Sequence, residues 1–268
     1  MDRKARVAGT FYEKDPRELR RELARLWPDP APPVRPCLGA LVPHAGYIYS
    51  GRVAAEVYAR LPQAKVFILL GPNHTGKGGA VAVAGEGHWE TPLGQVRVNG
   101  AWAHEFLSRC PDAGWDDRAH RDEHALEVQL PFLQKIGQDF SVLCITLGTW
   151  DMHVLARVGT ALAQVMQAGP EQAVMLASSD MNHFADLETT RRLDQLALAR
   201  VEALDPEGLM AVVEREDISM CGAGPVAAML VAARALGAKH GRRVAYATSA
   251  EASGDTQRVV GYAGVMVD

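Results

Sequence analysis

Long apolar runs, paired cysteines and net charge are all scarce in this sequence of 268 residues. No apolar run reaches the roughly 18 residues that a membrane-spanning helix needs. The four cysteines lie far apart without a C-x-x-C pair, which predicts free thiols in a reducing compartment. A formal net charge of −4 gives no electrostatic reason to expect binding to nucleic acid or to an anionic membrane. The basic N-terminus lacks the apolar segment of a secretion signal, so we expect a cytoplasmic protein.

Several familiar catalytic and nucleotide-binding motifs are also missing. The sequence contains no phosphate-binding loop, no G-x-G-x-x-G fingerprint and no G-x-S-x-G nucleophile elbow. Its composition, with 48% hydrophobic and 22% charged residues, is that of an ordinary globular protein. Any chemistry must therefore come from individual side chains that the fold brings together.

Hydrophobic patterning alternates between strands and helices along the whole chain. The predicted strands cover residues 37–42, 65–70, 80–84, 95–98, 140–147, 173–177, 243–248 and 259–267. The predicted helices cover residues 18–27, 50–61, 101–108, 124–136 with a bend at Pro131, 154–167, 187–203, 206–215 and 222–236. This alternation predicts a single α/β domain over residues 1–268, a sandwich with a central mixed, largely parallel sheet that helices cover on both faces.

Three histidines occupy equivalent places in this pattern. His44, His74 and His183 each follow a predicted strand closely, among glycine, proline and small polar residues that favour exposed turns. In open α/β sheets, ligands bind outside the carboxyl ends of the strands. One histidine after a strand is ordinarily a solvated loop residue, and the spacing is no metal fingerprint by itself. Three in equivalent positions indicate one crevice in which imidazoles could hold a metal ion.

Cys221 lies directly before an alanine-rich helix that has Pro225 in its first turn. The positive end of a helix dipole lowers the pKa of a nearby thiol, so we expect an accessible thiolate at Cys221. Such a thiolate is a soft metal ligand or a nucleophile. The alternative interpretation is a small residue that fits a tight helix start. Two other cysteines, Cys37 and Cys144, lie in predicted strands and are expected in the core.

A second polar cluster spans residues 119–127. His120, His124 and Glu127 share a helical face only if a helix begins before His120. Glu123 and His124 are candidates to point into the crevice as acid–base groups or as residues that orient metal ligands. The alternative is a solvated polar cap at a helix N-terminus. The remaining histidines have no supporting context and are predicted to lie at the surface: His88, His104, His153 and His240.

At these residues the sequence resembles the Memo family. The matching stretches are PHAGY at 43–47, GPNH at 71–74, TPLG at 91–94, EHALE at 123–127 with Leu130 and Pro131, SSD at 178–180 with His183, and CG at 221–222 with Pro225. They run in family order across nearly the whole chain. The resemblance implies a fold like that of class III extradiol dioxygenases of the LigB type.

The same resemblance implies a divalent transition metal, iron or copper first and zinc next, held by His44, His74 and Cys221. His183 faces this site, and the further pocket residues implied are Asp180, Glu123, His124, Tyr47 and Asn73. In the dioxygenases a carboxylate stands where Cys221 stands here, and the softer thiolate widens the choice of metal. Prokaryotic relatives imply two partners, an AMMECR1-like protein and a radical SAM enzyme, and an unknown small-molecule or peptide ligand.

Three functions compete on this basis. The first is a non-haem, metal-dependent oxidoreductase in which His183 is the acid–base catalyst and Asp180 orients it. The second is a non-catalytic metal- or peptide-binding accessory module of a modification system with the two partners. The third is a cysteine hydrolase with Cys221 as its nucleophile.

Overall fold

The computed structural model describes residues 2–268. Its strands are β1 (Gly39–Val42), β2 (Val66–Pro72), β3 (Val81–Val83), β4 (Gly87–Thr91), β5 (Gly94–Val98), β6 (Gly114–Trp115), β7 (Ser141–Leu147), β8 (Ala173–Ser178), β9 (His183–Ala185), β10 (Gly241–Thr248) and β11 (Val259–Val267). Its helices are α1 (Pro16–Leu26), α2 (Tyr47–Tyr58), α3 (Gly100–Arg109), α4 (Asp117–Arg121), α5 (Leu130–Ile136), α6 (Met152–Ala168), α7 (Leu187–Glu202), α8 (Pro206–Arg215), α9 (Ala223–Ala235) and α10 (Ala250–Ser253).

The central sheet has the strand order β10-β11-β1-β8-β2-β7-β3-β6. Its middle strands β1, β8, β2 and β7 are parallel, and β10, β11 and β3 pair antiparallel beside them. The register pairs Val42 with Ser178 and Leu70 with Ala177, so the carboxyl ends of β1, β8 and β2 lie side by side. The predicted mixed, largely parallel sheet flanked by helices is confirmed, while the extent of one domain over 1–268 stays a prediction.

Both faces of the sheet are buried, which explains why its middle strands are continuously apolar. Along β2, Ile68 packs into one core with α3, α6 and α9, whereas Phe67 and Leu69 pack into the other with α1, α2 and α5. Cys37 and Cys144 lie in the second core, so their predicted burial is confirmed. Within residues 2–268, no helix is long and apolar enough to cross a membrane.

Two local predictions were wrong. No strand was predicted at 87–91, but β4 lies there and pairs with β5 across the TPLG turn. The prediction missed it because polar residues alternate with buried ones along this strand. Residues 124–129 are not α-helical: a 3₁₀ turn over Glu127–Gln129 precedes α5, which begins at Leu130 with Pro131 in its first turn. Proline fits there because the first helical N–H groups need no partner within the helix.

A buried ion pair connects the N-terminal segment of the chain to the irregular segment at residues 124–129. Arg3 Nη1 lies 2.5 Å from Glu127 Oε2, and both side chains are almost completely buried. Glu127 also accepts hydrogen bonds from the backbone N–H groups of Arg6 and Val7 and from the Tyr12 hydroxyl. These donors offset the cost of burying the carboxylate.

Arg3 donates to the polypeptide backbone as well. Its Nε donates to the carbonyl oxygen of His120 and its Nη2 to that of Glu123, while the guanidinium lies over the ring of Trp89. One side chain therefore fixes the path of the segment that leads from α4 to the 3₁₀ turn.

We predict that Arg3→Leu lowers the free energy of unfolding by about 3 to 5 kcal/mol, because it leaves the Glu127 carboxylate buried without its cation. Urea unfolding followed by circular dichroism measures the change. The control Lys4→Leu breaks an ion pair with Glu90 in which the lysine is 79% exposed, and it should have little effect. Equal stability of the two variants would contradict this role of Arg3.

Candidate metal centre

Three predicted ligands meet at the carboxyl edge of the sheet. His44 follows β1 by two residues, His74 follows β2 by two residues, and Cys221 lies just before the N-cap of α9, Gly222. One ligand atom from each of His44, His74 and Cys221 lies within 4.8 Å of the other two. Two of the three histidines that the strand ends placed in one crevice, His44 and His74, are therefore close together, and Cys221 lies with them.

The imidazole of His44 is held in one tautomer by Ser178. The Ser178 hydroxyl donates to the carbonyl oxygen of Ala125, at 2.7 Å, and so it must accept from His44 Nδ1, at 2.9 Å. Gln129 Nε2 donates to the same hydroxyl oxygen. His44 Nε2 thus keeps its lone pair, and it lies 3.2 Å from Cys221 Sγ.

The imidazole of His74 is held from behind by a carboxylate. Glu123 Oε1 lies 2.9 Å from His74 Nδ1, and Oε2 accepts the backbone N–H of His74. Burial raises the pKa of Glu123, but its hydrogen bonds with His74 and with the Ala125 backbone outweigh that effect and lower the pKa to about 2. The carboxylate accepts from Nδ1–H, so the tautomer it selects for a neutral His74 ring has its lone pair on Nε2, on the side away from Glu123.

His124 belongs to the same cluster and is not the solvated cap that was the alternative. Its ring stacks on that of His74, with centroids 4.8 Å apart and planes inclined by 19°, and it meets His44 edge-on at 5.4 Å. Phe11 covers it from the N-terminal segment. Burial lowers the pKa of His124, and burial together with the neighbouring histidines lowers the pKa of His44, so both rings are neutral at pH 7.

Burial raises the pKa of the Cys221 thiol, and the nearby Asp180 raises it further. The predicted fall in this pKa is therefore wrong. Cys221 stands before the helix cap, and the loss of solvation outweighs the helix dipole there. A cation beside the sulfur reverses this balance, because coordination deprotonates a thiol outright.

Gly222 sets the position of Cys221. A Cβ atom on Gly222 would lie 2.3 Å from the carbonyl oxygen of Ser178 and 2.4 Å from Cβ of Ser179. The backbone N–H of Gly222 donates to the Ser179 hydroxyl at 2.9 Å. Only glycine lets the chain come this close to the end of β8, which brings Cys221 to the histidines.

Asp180 and His183 do not form the predicted pair. Asp180 Oδ1 accepts the backbone N–H groups of His44 and Ala45, and burial raises the pKa of this carboxyl to about 7. His183 Nδ1 instead lies 2.8 Å from the carbonyl oxygen of Ser219, whose hydroxyl accepts the His183 backbone N–H. Ser219 therefore orients His183, and the prediction that Asp180 does so is wrong.

Two predicted pocket residues act from outside the pocket. Tyr47 lies in the core, where its hydroxyl donates to the carbonyl oxygen of Val128 and its ring packs on Phe132. Asn73 closes the loop after β2, with its amide N–H donating to the Lys77 carbonyl oxygen and its amide oxygen accepting from Thr75. Both side chains shape the segments that carry ligands.

The four histidines predicted at the surface are exposed there, whereas His120 is completely buried. Its Nδ1 lies 3.1 Å from the Thr146 hydroxyl and its Nε2 3.1 Å from the carbonyl oxygen of Ala82. Burial lowers the pKa of His120 to about 4. It is a neutral core residue. It belongs neither to the candidate ligand group of His44, His74 and Cys221 nor to a second such group formed by His74, Glu123 and His124.

A buried network that was not predicted from the sequence supports His183. Asp194 on α7 accepts the backbone N–H of Asn182 at 2.8 Å and the Tyr246 hydroxyl at 2.7 Å. The Asn182 amide oxygen in turn accepts the backbone N–H of Ser219. Asp194 is a polar residue on the buried face of an amphipathic helix, and that exception to the pattern is the signal that could have identified it.

Asp194 also predicts a pH dependence. Burial raises its pKa from 3.8 to about 6, so the folded state binds the proton more tightly than the unfolded state. Wild-type stability then falls as pH rises through this range, and Asp194→Asn, which cannot ionise, escapes that loss. The free energy of unfolding of Asp194→Asn relative to wild type should rise by about 3 kcal/mol between about pH 4 and pH 6, then level off.

Urea titrations at a series of pH values measure this difference. The Tyr246 hydroxyl lowers the pKa of Asp194, so Tyr246→Phe should move the transition to higher pH. A difference between Asp194→Asn and wild type that stays constant from pH 4 to pH 7 would refute the assignment.

Comparison with known proteins agrees with the motifs. Residues 3–266 match the family described as Memo-like protein. The MEMO1 family protein of Methanosarcina acetivorans is 42% identical over 267 residues, which cover 99% of each chain. The MEMO1 family protein of Methanopyrus kandleri is 39% identical over 279 residues, again with 99% of each chain covered.

One solved structure is similar to this chain in fold although its sequence identity is low. The crystal structure of an uncharacterized protein from Escherichia coli K12 has a TM-score of 0.61 at 12% identity, and the match covers 87% of this chain and 100% of that one. At that identity the match supports the fold alone. The sequence relatives and the matched family carry the assignment, which confirms the resemblance seen in the motifs. The chain belongs to the Memo-like protein family.

Proposed function

We propose that this protein holds one redox-active transition-metal ion, iron or copper, between His44, His74 and Cys221, and that it is a metal-dependent oxidoreductase. The observation that carries the proposal is the arrangement behind the two imidazoles. Ser178 accepts from His44 Nδ1 and Glu123 accepts from His74 Nδ1, so the Nε2 lone pair of each ring is left free to bind a metal ion. Such carboxylate or hydroxyl support behind histidine is typical of metal ligands.

The donor set fits a transition metal in chemistry and in size. Metal–nitrogen and metal–sulfur bonds of about 2.0 and 2.3 Å put two tetrahedral ligands about 3.5 Å apart. The separation of 3.2 Å between His44 Nε2 and Cys221 Sγ is close to that value. Two imidazoles and a thiolate suit copper, iron and zinc, and three protein ligands leave a position for a substrate.

A bound iron or copper ion supplies Lewis acidity and a redox couple, and the protein supplies proton transfer. His183 donates Nδ1–H to Ser219, and burial lowers its pKa, so the ring is a neutral base whose Nε2 is able to take a proton. Asp180 Oδ1 is occupied by two backbone N–H groups, so a proton on this carboxyl resides on Oδ2.

The hydrolase hypothesis is less well supported. A cysteine nucleophile needs a thiolate beside an imidazolium, and the Cys221–His44 pair has the required contact. Burial, however, raises the pKa of Cys221 and lowers that of His44, which favours the neutral pair. Without a cation, this pair is a poor nucleophile.

We predict that the protein purified anaerobically, without a polyhistidine tag, contains close to one equivalent of iron or copper by mass spectrometry. Cys221→Ser and His74→Ala should lose most of it, because each removes one ligand. His104→Ala removes an exposed histidine that belongs to no candidate ligand group and should keep the metal. Absence of metal from wild type, even after reconstitution with iron, copper and zinc, would refute the site.

The same preparations test whether the metal is redox-active. Electron paramagnetic resonance spectra should change reversibly on treatment with dithionite and ferricyanide, and the change should be absent in Cys221→Ser. A fully occupied but redox-silent zinc site would contradict the oxidoreductase and favour a metal-binding accessory module, for which the AMMECR1-like and radical SAM proteins are the proposed partners.

Glu123→Gln should weaken metal affinity by about 10- to 100-fold, because the amide no longer fixes the tautomer of His74. Competition with a fluorescent chelator measures the affinity. The matched control is Asp122→Asn, which removes the neighbouring carboxylate that pairs with Arg6 and Lys77 at the surface. If both variants bind metal as tightly as wild type, Glu123 does not position the ligand.

A further inference from the structure

A groove with a volume of about 770 Å³ lies beside the candidate metal centre. It is formed by the loop after β7, by α8 and by the segment that leads from α8 to Cys221. This volume is in the range of ligand sites, roughly 300 to 1,000 Å³. The residues that line it are Trp150, Met152, Glu207, Met210, Ala211, Val213, Glu214, Asp217, Ile218 and Ser219.

The groove has an apolar part. Met152 and Met210 line it half-buried, Ile218 lies buried beneath them, and Trp150 has 57% of its surface exposed. Methionines adapt to the shape of a bound side chain, and tryptophan offers a large rigid face. An exposed tryptophan beside half-buried methionines in one concave surface is typical of a binding site.

The charge of the groove has one sign. Glu207, Glu214 and Asp217 line it, and no lysine or arginine does. Glu207 pairs with Arg234, whereas Glu214 and Asp217 form no ion pair within residues 2–268. Two unpaired carboxylates beside apolar surface are complementary to a cationic group on a ligand that also carries apolar surface.

Ser219 connects the groove to the metal centre. It lines the groove, and its carbonyl oxygen and hydroxyl hold the His183 ring and backbone. Cys221 follows two residues later in the same segment. A ligand in the groove therefore contacts the segment that positions both a metal ligand and the proposed base.

We propose that this groove binds a peptide segment in which a large apolar side chain is flanked by basic side chains. The apolar side chain packs on Trp150 and Met210, and the cations lie against Glu214 and Asp217. A free polyamine would satisfy the carboxylates but leave the apolar surface uncovered. The inference goes beyond the proposed redox function and does not depend on a bound metal, since no ligand of the metal lines the groove.

The test uses the full-length protein and isothermal titration calorimetry. The probe is an acetylated and amidated pentapeptide with alanine at both ends and leucine between two arginines. The matched peptide has glutamate in place of both arginines. The arginine peptide should bind at one site per chain, and the glutamate peptide should bind at least about tenfold more weakly.

Variants locate the binding. Trp150→Ala, and the pair Glu214→Gln with Asp217→Asn, should each weaken binding of the arginine peptide at least about tenfold. Because all three side chains are exposed, these changes should leave the fold intact. The charge-matched control is Glu105→Gln with Asp139→Asn, two acidic side chains outside the groove, and it should bind like wild type.

Three results would overturn the proposal. The first is no saturable binding of the arginine peptide, and the second is equal binding by the groove variants and wild type. The third is spermidine binding as tightly as the peptide, which would assign the groove to free polyamines. Metal content, measured on every sample, separates these results from a failure of the metal site.

Discussion

The ion pair between Arg3 and Glu127 holds the segment on which the candidate metal centre is built. Glu123, His124, Ala125 and Gln129 lie in this stretch of irregular backbone, and each contacts a ligand histidine or the serine behind one. An irregular segment has few backbone hydrogen bonds of its own to keep it in place. The buried Arg3 guanidinium and Glu127 carboxylate supply the hydrogen bonds that hold it. Arg3, more than a hundred residues away in sequence, therefore keeps the backbone beside the candidate metal centre in place.

The close packing of three imidazole rings determines the charge of the candidate metal centre. His44, His74 and His124 have ring centroids within 5.4 Å of one another, and a second proton on any one of them would repel its neighbours. Glu123 meanwhile stays ionised among them. The neutral rings of His44 and His124 beside this fixed negative charge form an environment that favours a cation, which a protein interior otherwise disfavours.

Much of the fold and part of the site could be predicted from the sequence. Continuous apolar runs identified the buried middle strands, and the equivalent places of His44 and His74 after two of them identified the crevice. The role of Ser178 could not be predicted, because its partners His44, Gln129 and Ala125 come from three separate segments. The predicted direction of the Cys221 pKa shift was wrong for a related reason. A helix dipole can be predicted from local sequence, whereas the loss of solvation depends on the whole fold.

The hydrogen bonds that orient the imidazole rings of His44 and His74 are all made between groups of the protein itself. The segments that supply the donors are far apart, with Cys221 lying 177 positions after His44, so an unfolded chain cannot gather them without a large loss of loop entropy. The fold therefore forms before the proposed ion binds. Under the proposed function, the folded protein would gain, lose or exchange its metal ion, and its supply of metal in the cell need not coincide with its synthesis.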